Sequence, residues 1–173
     1  MKTRRDAEQA AGELLRKHAL GILPIPVEEI AHLEGAQVIR QRFDGNQSGF
    51  MYRDGTEKII GINTLSGRRR QRFTIAHEIG HMQLHQSDPL VVDREINWRD
   101  GRSSMGVDLK EIQANAFAAA LLMPEEQILE QMQEELSGPA ISSRDRLISR
   151  LATTFDVSAE AMSYRLINLG FYS

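Results

Sequence analysis

The sequence has 173 residues, of which 41% are hydrophobic and 26% charged, with a formal net charge of −3. That is chain enough for one compact domain plus a small appended subdomain, in the balance of a soluble globular protein, and no apolar run approaches the roughly 20 residues that cross a bilayer. The absence of cysteine excludes disulfides, thiolate metal sites and a cysteine nucleophile, so any metal must be held by His, Asp or Glu. The charge supplies no global attraction to nucleic acid or anionic membrane. The charged N-terminal segment lacks the apolar stretch of a secretory signal, so a cytoplasmic location without a membrane partner is expected.

Residues 3–19 predict an amphipathic helix, with Ala7, Ala10, Ala11, Leu14, Leu15 and Ala19 at helical spacing. Gly21 ends it. Leu23-Pro24-Ile25-Pro26 is extended, because each proline removes a donor and turns its predecessor away from helix. Val27–Leu33 predicts a short helix closed by Gly35. Three strands are predicted over 36–43, 48–53 and 58–63. Asp44-Gly45-Asn46 and Asp54-Gly55 supply turn chemistry between them, and the expectation is an antiparallel meander. Ser66 is the expected cap of a long helix over 67–85. Its apolar residues wrap most of its circumference, the pattern of a helix buried on several sides. Residues 86–108 are irregular, with a strand or hairpin arm over 91–98; a connection this long is more often functional than idle. An alanine-rich helix over 108–123 follows, and Pro124 opens another to about 136. Ser137-Gly138-Pro139 reads as a linker. The tail over 142–172 predicts two helices joined at Phe155-Asp156-Val157, with Ser158 and Gly170 as caps.

The chemistry sits in the long helix. His77-Glu78-Ile79-Gly80-His81 has the form H-E-x-x-H. Residues four apart lie about 6 Å apart along the axis on nearly one face, so both imidazoles can converge on one ion. Glu78 is rotated about 100° from His77 and reaches a water at the ion rather than the ion itself. Zinc lowers the pKa of such a water, and the carboxylate takes its proton as it attacks a carbonyl. The competing reading is two histidines at helical spacing by coincidence, which the helical context of the motif disfavours. His85 continues the same stripe; a structural role is preferred to a fourth ligand, since catalytic zinc keeps an open position. Histidines 18 and 32 lack a supporting pattern. The best third ligand is Glu111, on the alanine-rich helix, with Asn115 one turn on as its support. Spacing alone leaves that open, because Asp108-x-x-Glu111 also fits a capping box.

Arg72-Phe73-Thr74-Ile75-Ala76 before the motif, Glu111-x-x-Ala114-Asn115-x-Phe117-Ala118, and Leu121-Leu122-Met123-Pro124 together make a specific combination. It resembles the ImmA/IrrE family of metallo-endopeptidases, from about residue 10 to the C-terminus. The resemblance implies a gluzincin-type zinc site with Glu111 as the ligand that joins His77 and His81. Many relatives show a second glutamate where Gln113 stands here. It also implies a protein substrate, a helix-turn-helix transcriptional repressor of the XRE type, whose cleavage relieves repression. Stress-response members carry a further GAF-like sensor domain, which is not expected here. Residues 147–169 resemble the helical, HTH-like end of the same family.

The expected fold is therefore α+β and zincin-like: a small antiparallel sheet against the H-E-x-x-H helix, then an all-helical C-terminal half. Residues 1–136 are the expected metallopeptidase domain and 140–173 the HTH-like subdomain. The expected function is a zinc-dependent endopeptidase acting on one repressor; manganese also suits a His-His-Glu site. The rivals are a non-catalytic regulatory protein, such as half of a toxin–antitoxin-like pair, and a DNA-binding regulator. The last is disfavoured. Arg144, Arg146, Arg150 and Arg165 stand against Asp145, Asp156 and Glu160 in the tail, a weak balance for phosphate neutralisation. The substrate is expected to lie extended along a sheet edge. Tyr52, Tyr164 and His85 are candidate oxyanion donors, none favoured. Arg68, Arg69, Arg70 and Arg72 sit where the helix dipole disfavours positive charge. They are expected to be solvated, with carboxylate pairing or an acidic partner as the alternative.

Overall fold

A computed structural model describes residues 3–86, 89–94, 109–137 and 143–172. Those residues form seven helices and a four-stranded sheet, an α+β arrangement. Helix α1 (Arg4–His18) starts at a capping box that composition did not announce. Thr3 Oγ1 accepts from the Asp6 amide, and the Asp6 carboxylate accepts from the Thr3 amide at 2.6 Å. Its buried stripe of Ala7, Ala11 and Leu14 packs on α4 (Leu109–Leu122), where small side chains allow close approach. Helix α2 (Val27–Leu33) follows the proline segment and closes before Gly35, which takes φ 79°.

The sheet corrects the expected antiparallel meander. Its order is β1 (Gln37–Gln41), β3 (Lys58–Asn63), β2 (Gln47–Arg53), β4 (Leu90–Arg94). β1 runs parallel to β3, whereas β2 is antiparallel to both β3 and β4, so the sheet is mixed. The Asp54 turn closes the β2–β3 hairpin as expected. The Asp44-Gly45-Asn46 segment does not close one; it carries the chain past β3. Burial explains the difference. β3 presents Ile60 and Ile62 to the core, both fully buried, and takes a central place. β1 is largely exposed and is driven to the edge, where only one neighbour is needed. Of the predicted arm over 91–98, residues 91–94 belong to β4 and 95–98 lie outside the described residues.

Helix α3 (Arg68–Leu84) runs against β2, β3, α2 and α4. That explains its nearly continuous burial from Thr74 to Met82. Its cap is Gly67 rather than the expected Ser66, and no side chain caps the helix start. The four arginines at its start are not simply solvated. Arg68, Arg69 and Arg72 all pair with Asp156 at 2.9–3.5 Å, and Arg72 also donates to Ile25 O at 2.9 Å. Arg70 donates to Ser48 Oγ and lies over the Phe73 ring.

Helix α5 (Glu125–Ser137) leads to the tail helices α6 (Arg144–Phe155) and α7 (Ala159–Asn168). Asp156, at φ 52°, turns the chain between them, and Ser158 Oγ accepts from the Ala161 amide. Phe155, Met162 and Leu166 are fully buried and continue the core formed by Ile79, Phe117 and Leu121. Arg165, 3% exposed, pairs with Glu8 at 3.2 Å and donates to Met123 O, fastening α7 to α1 and the end of α4. Among the described residues no helix is long and apolar enough to cross a membrane.

Candidate metal centre

The site is built by two helices that cross closely. At Gly80 an added Cβ would meet Ala114 Cα, Ala114 O and Phe117 Cδ1, all at 3.2 Å. Only a glycine on α3 and an alanine on α4 let the two axes approach this far. The crossing sets Glu111, one turn before Ala114, beside His77 and His81, which are 2% and 1% exposed. The two Nε2 atoms are 3.0 Å apart. Glu111 Oε2 is 3.2 Å from His77 Nε2, and Oε1 is 3.2 Å from His81 Nε2. Among the described residues these three side chains form the one group able to hold a metal ion. The geometry fits one. Ligands about 2.0–2.1 Å from a tetrahedral ion are about 3.3 Å apart. Two nitrogens and a carboxylate are also a donor set for which zinc is suited.

Each side chain is prepared by its neighbours. Burial raises the Glu111 carboxyl, but the hydrogen bonds and charge of His77 and His81 outweigh that and hold it well below the usual carboxylate range. It is thus an anion, the form a ligand needs. His77 Nδ1 lies 3.0 Å from Asn115 Oδ1, and a neutral imidazole that donates there would leave its Nε2 lone pair for an ion. Asn115 therefore serves His77, not Glu111 as its spacing suggested. His81 Nδ1 lies 3.0 Å from His85 Nδ1, and His85 Nε2 lies 2.9 Å from Gln113 Oε1. His85 stands behind the pair as a support rather than joining it.

Glu78 is fully buried on the same helix. Its Oε1 lies 3.8 Å from where a Cβ on Gly49 would stand, so its carboxyl faces β2. Gly49 pairs with Ile62 and Asp93 and tolerates no side chain: a Cβ would come within 2.4 Å of Thr74 Cγ2 and 2.7 Å of Gly61 O. The sequence signal was a glycine inside a strand, which marks close backbone approach. Arg53 was also missed. It reaches from β2 to the last turn of α3, donating to Met82 O at 3.1 Å and to His85 O. A cation at a helix C-terminus satisfies carbonyls that have no partner within the helix.

Other candidates are spent elsewhere. Tyr52 donates to Asp54 Oδ2 at 2.9 Å, and Tyr164 is exposed on α7. His18 bonds to Glu34 in a rim network with Lys17 and Gln83. Asp108, the other half of the capping box considered for Glu111, lies outside the described residues.

A helix bearing His-Glu-x-x-His, with a carboxylate delivered by the following helix, defines the class of metallopeptidases. The family model described as the IrrE N-terminal-like domain, a peptidase family, matches residues 31–167, and the chain belongs to that family. The radiation response metalloprotease IrrE of Deinococcus radiodurans is 37% identical over 119 residues, covering 66% of this chain and 34% of that protein. The Deinococcus deserti protein of the same name is 36% identical over 113 residues, covering 65% and 37%. The chain thus spans about a third of the length of these curated relatives. An uncharacterized immunity region protein of Bacillus phage phi105 is 28% identical over 132 residues, covering 75% of this chain and 78% of that one. A Mycobacterium tuberculosis transcriptional regulator shares the fold. Its TM-score is 0.59 at 19% identity, covering 94% of this chain and 46% of that structure.

Proposed function

We propose that the chain is a zinc-dependent endopeptidase that cuts a partner transcriptional repressor of the XRE type, with His77, His81 and Glu111 as ligands and Glu78 as the catalytic base. One observation carries the reading: three donors from two helices converge at 3.0–3.2 Å on a point neither helix could define alone. A divalent ion held there supplies Lewis acidity, and zinc and manganese both suit this donor set.

The protein's part is orientation and proton transfer. Asn115 and His85 hold the imidazoles with Nε2 inward. Glu78 takes the proton of the attacking water and delivers it to the departing amine, and its burial keeps that transfer away from bulk solvent. Among the described residues strand β4 is the outermost of the sheet beside β2, with Asp93 level with Gly49 and hence with Glu78. An extended substrate segment would add there through main-chain hydrogen bonds. The names of the relatives support a regulatory setting, radiation response in one and phage immunity in another.

The test is metal analysis of the purified protein and of His77→Ala, together with cleavage of a repressor encoded beside the gene. Wild type should carry one ion and cut at one site. Glu78→Gln should keep the ion and lose cleavage by at least about 100-fold. Cleavage at the wild-type rate by Glu78→Gln would end the catalytic reading. A biological effect left intact in that variant would favour a non-catalytic binding protein.

A further inference from the structure

The two imidazoles of the pair are held from behind in different ways. His77 meets one amide, Asn115, at 3.0 Å. His81 is held through a second imidazole and then an amide: His85 Nδ1 at 3.0 Å, and from His85 Nε2 to Gln113 Oε1 at 2.9 Å. All three side chains are at least 93% buried, so water does not dilute the choice of partner.

Counting protons along this chain shows what it does. Two neutral rings facing each other through Nδ1 need one donor and one acceptor. With the proton on His81 Nδ1, its Nε2 keeps a lone pair facing Glu111. His85 then carries its own proton on Nε2 and donates it to an oxygen. With the proton on His85 Nδ1, His81 is protonated at Nε2 and cannot act as a ligand. His85 Nε2 then needs a donor, which Gln113 provides by turning its amide nitrogen inward. Glutamine is one of the few side chains that satisfies both states.

We propose that His85 and Gln113 are positioning residues that set the tautomer of His81, and so decide whether its Nε2 is available to a metal ion. The inference builds on the reading of His77, His81 and Glu111 as a metal site. The Gln113 oxygen turned to His85, as the structure has it, is the ligating arrangement. A glutamate at 113 offers oxygen only and fixes that arrangement. A methionine of similar size offers neither, and removes the amide oxygen that faces His85 Nε2.

The experiment uses zinc and the full chain. Zinc affinity is measured by chelator competition for wild type, Gln113→Glu and Gln113→Met, with thermal unfolding of the metal-free proteins as the folding control. Histidine 15N spectra of the zinc-loaded wild type report which nitrogen of His85 is protonated. Gln113→Glu should bind at least as tightly as wild type, and Gln113→Met about 10–100-fold more weakly. The spectra should show His85 protonated on Nε2 and His81 on Nδ1. Affinity of Gln113→Met within twofold of wild type would overturn the proposal, as would equal weakening in both variants, which marks a packing role. A zinc-loaded His85 protonated on Nδ1 would overturn it even if Gln113→Met fails to fold. Wild type that takes up no stoichiometric zinc sinks the metal-site reading itself, an outcome distinct from a loss confined to the variants.

Discussion

Gly80→Ala tests whether the helix crossing sets the metal geometry. The added methyl would stand 3.2 Å from Ala114 Cα, Ala114 O and Phe117 Cδ1, two of them backbone atoms that cannot rotate away. Ordinary contact begins at 3.4 Å, so α4 must retreat by a few tenths of an ångström. Glu111 rides on α4 one turn earlier, and its 3.2 Å separations from His77 and His81 widen with it. A metal site tolerates ligand distances within about 0.2 Å, so a shift of this size is felt at the ion. Stability moves less. Overpacking costs about 1–3 kcal/mol, and replacing a mid-helix glycine by alanine returns about 1 kcal/mol. The expected outcome is a fall in zinc affinity of about 10–100-fold, comparable to losing an outer-shell partner. Melting of the metal-free protein should drop by no more than about 8 °C. Chelator competition and thermal unfolding read the two quantities separately. Affinity within twofold of wild type would refute the claim that this crossing positions Glu111.

Gly49→Ala meets fixed atoms on both sides, at 2.4 Å and 2.7 Å, and should destabilise by about 3 kcal/mol or more in a urea titration; a loss below about 1 kcal/mol would mean that β2 is free to move off α3. Asp156→Asn keeps a side chain that tolerates the left-handed turn at φ 52° but removes the only charge facing Arg68, Arg69 and Arg72 among their described ion pairs. Stability should fall by about 1–3 kcal/mol and recover partly in high salt, which screens the repulsion left behind; no salt dependence would argue against it. Glu34 supplies an acid limb. Burial raises its carboxyl, but hydrogen bonds from Lys17, His18 and Gln83 hold it at about 2 against an ordinary 4.5. A depressed carboxylate stabilises the fold fully above pH 4.5 and loses that contribution as pH falls toward 2. The gap in melting temperature between wild type and Glu34→Gln should therefore close over that range, and a constant gap would show that the network does not act through charge.

What the sequence disclosed and what it hid divide along the range of the interaction. The helix bounds of α3, α6 and α7 follow from patterns within a dozen residues: apolar spacing around His77, the Ser158 cap, Gly170 at φ 83°. The pairing of His77 with His81 is equally local, since one helical turn fixes it. Strand order is not local. Nothing in Asp44-Gly45-Asn46 says whether the chain folds back or passes over, and the answer lies in Ile60 and Ile62, whose burial claims the sheet centre and sends β1 to the edge. The same holds behind the imidazoles. Asn115 lies one turn from Glu111 in sequence, yet it bonds to His77 across the helix interface, because the close crossing at Gly80 brings its face of α4 onto α3. Gln113 could be noticed only as a departure from a family's glutamate; that its oxygen faces His85 needs both helices in place. The candidate ligands are thus legible as residues, while their orientation is a property of the interface. Substitutions that crowd the crossing at Gly80, remove the Asn115 amide or take away the Gln113 oxygen should therefore disturb metal binding, though none of the three is among the three defined positions of H-E-x-x-H.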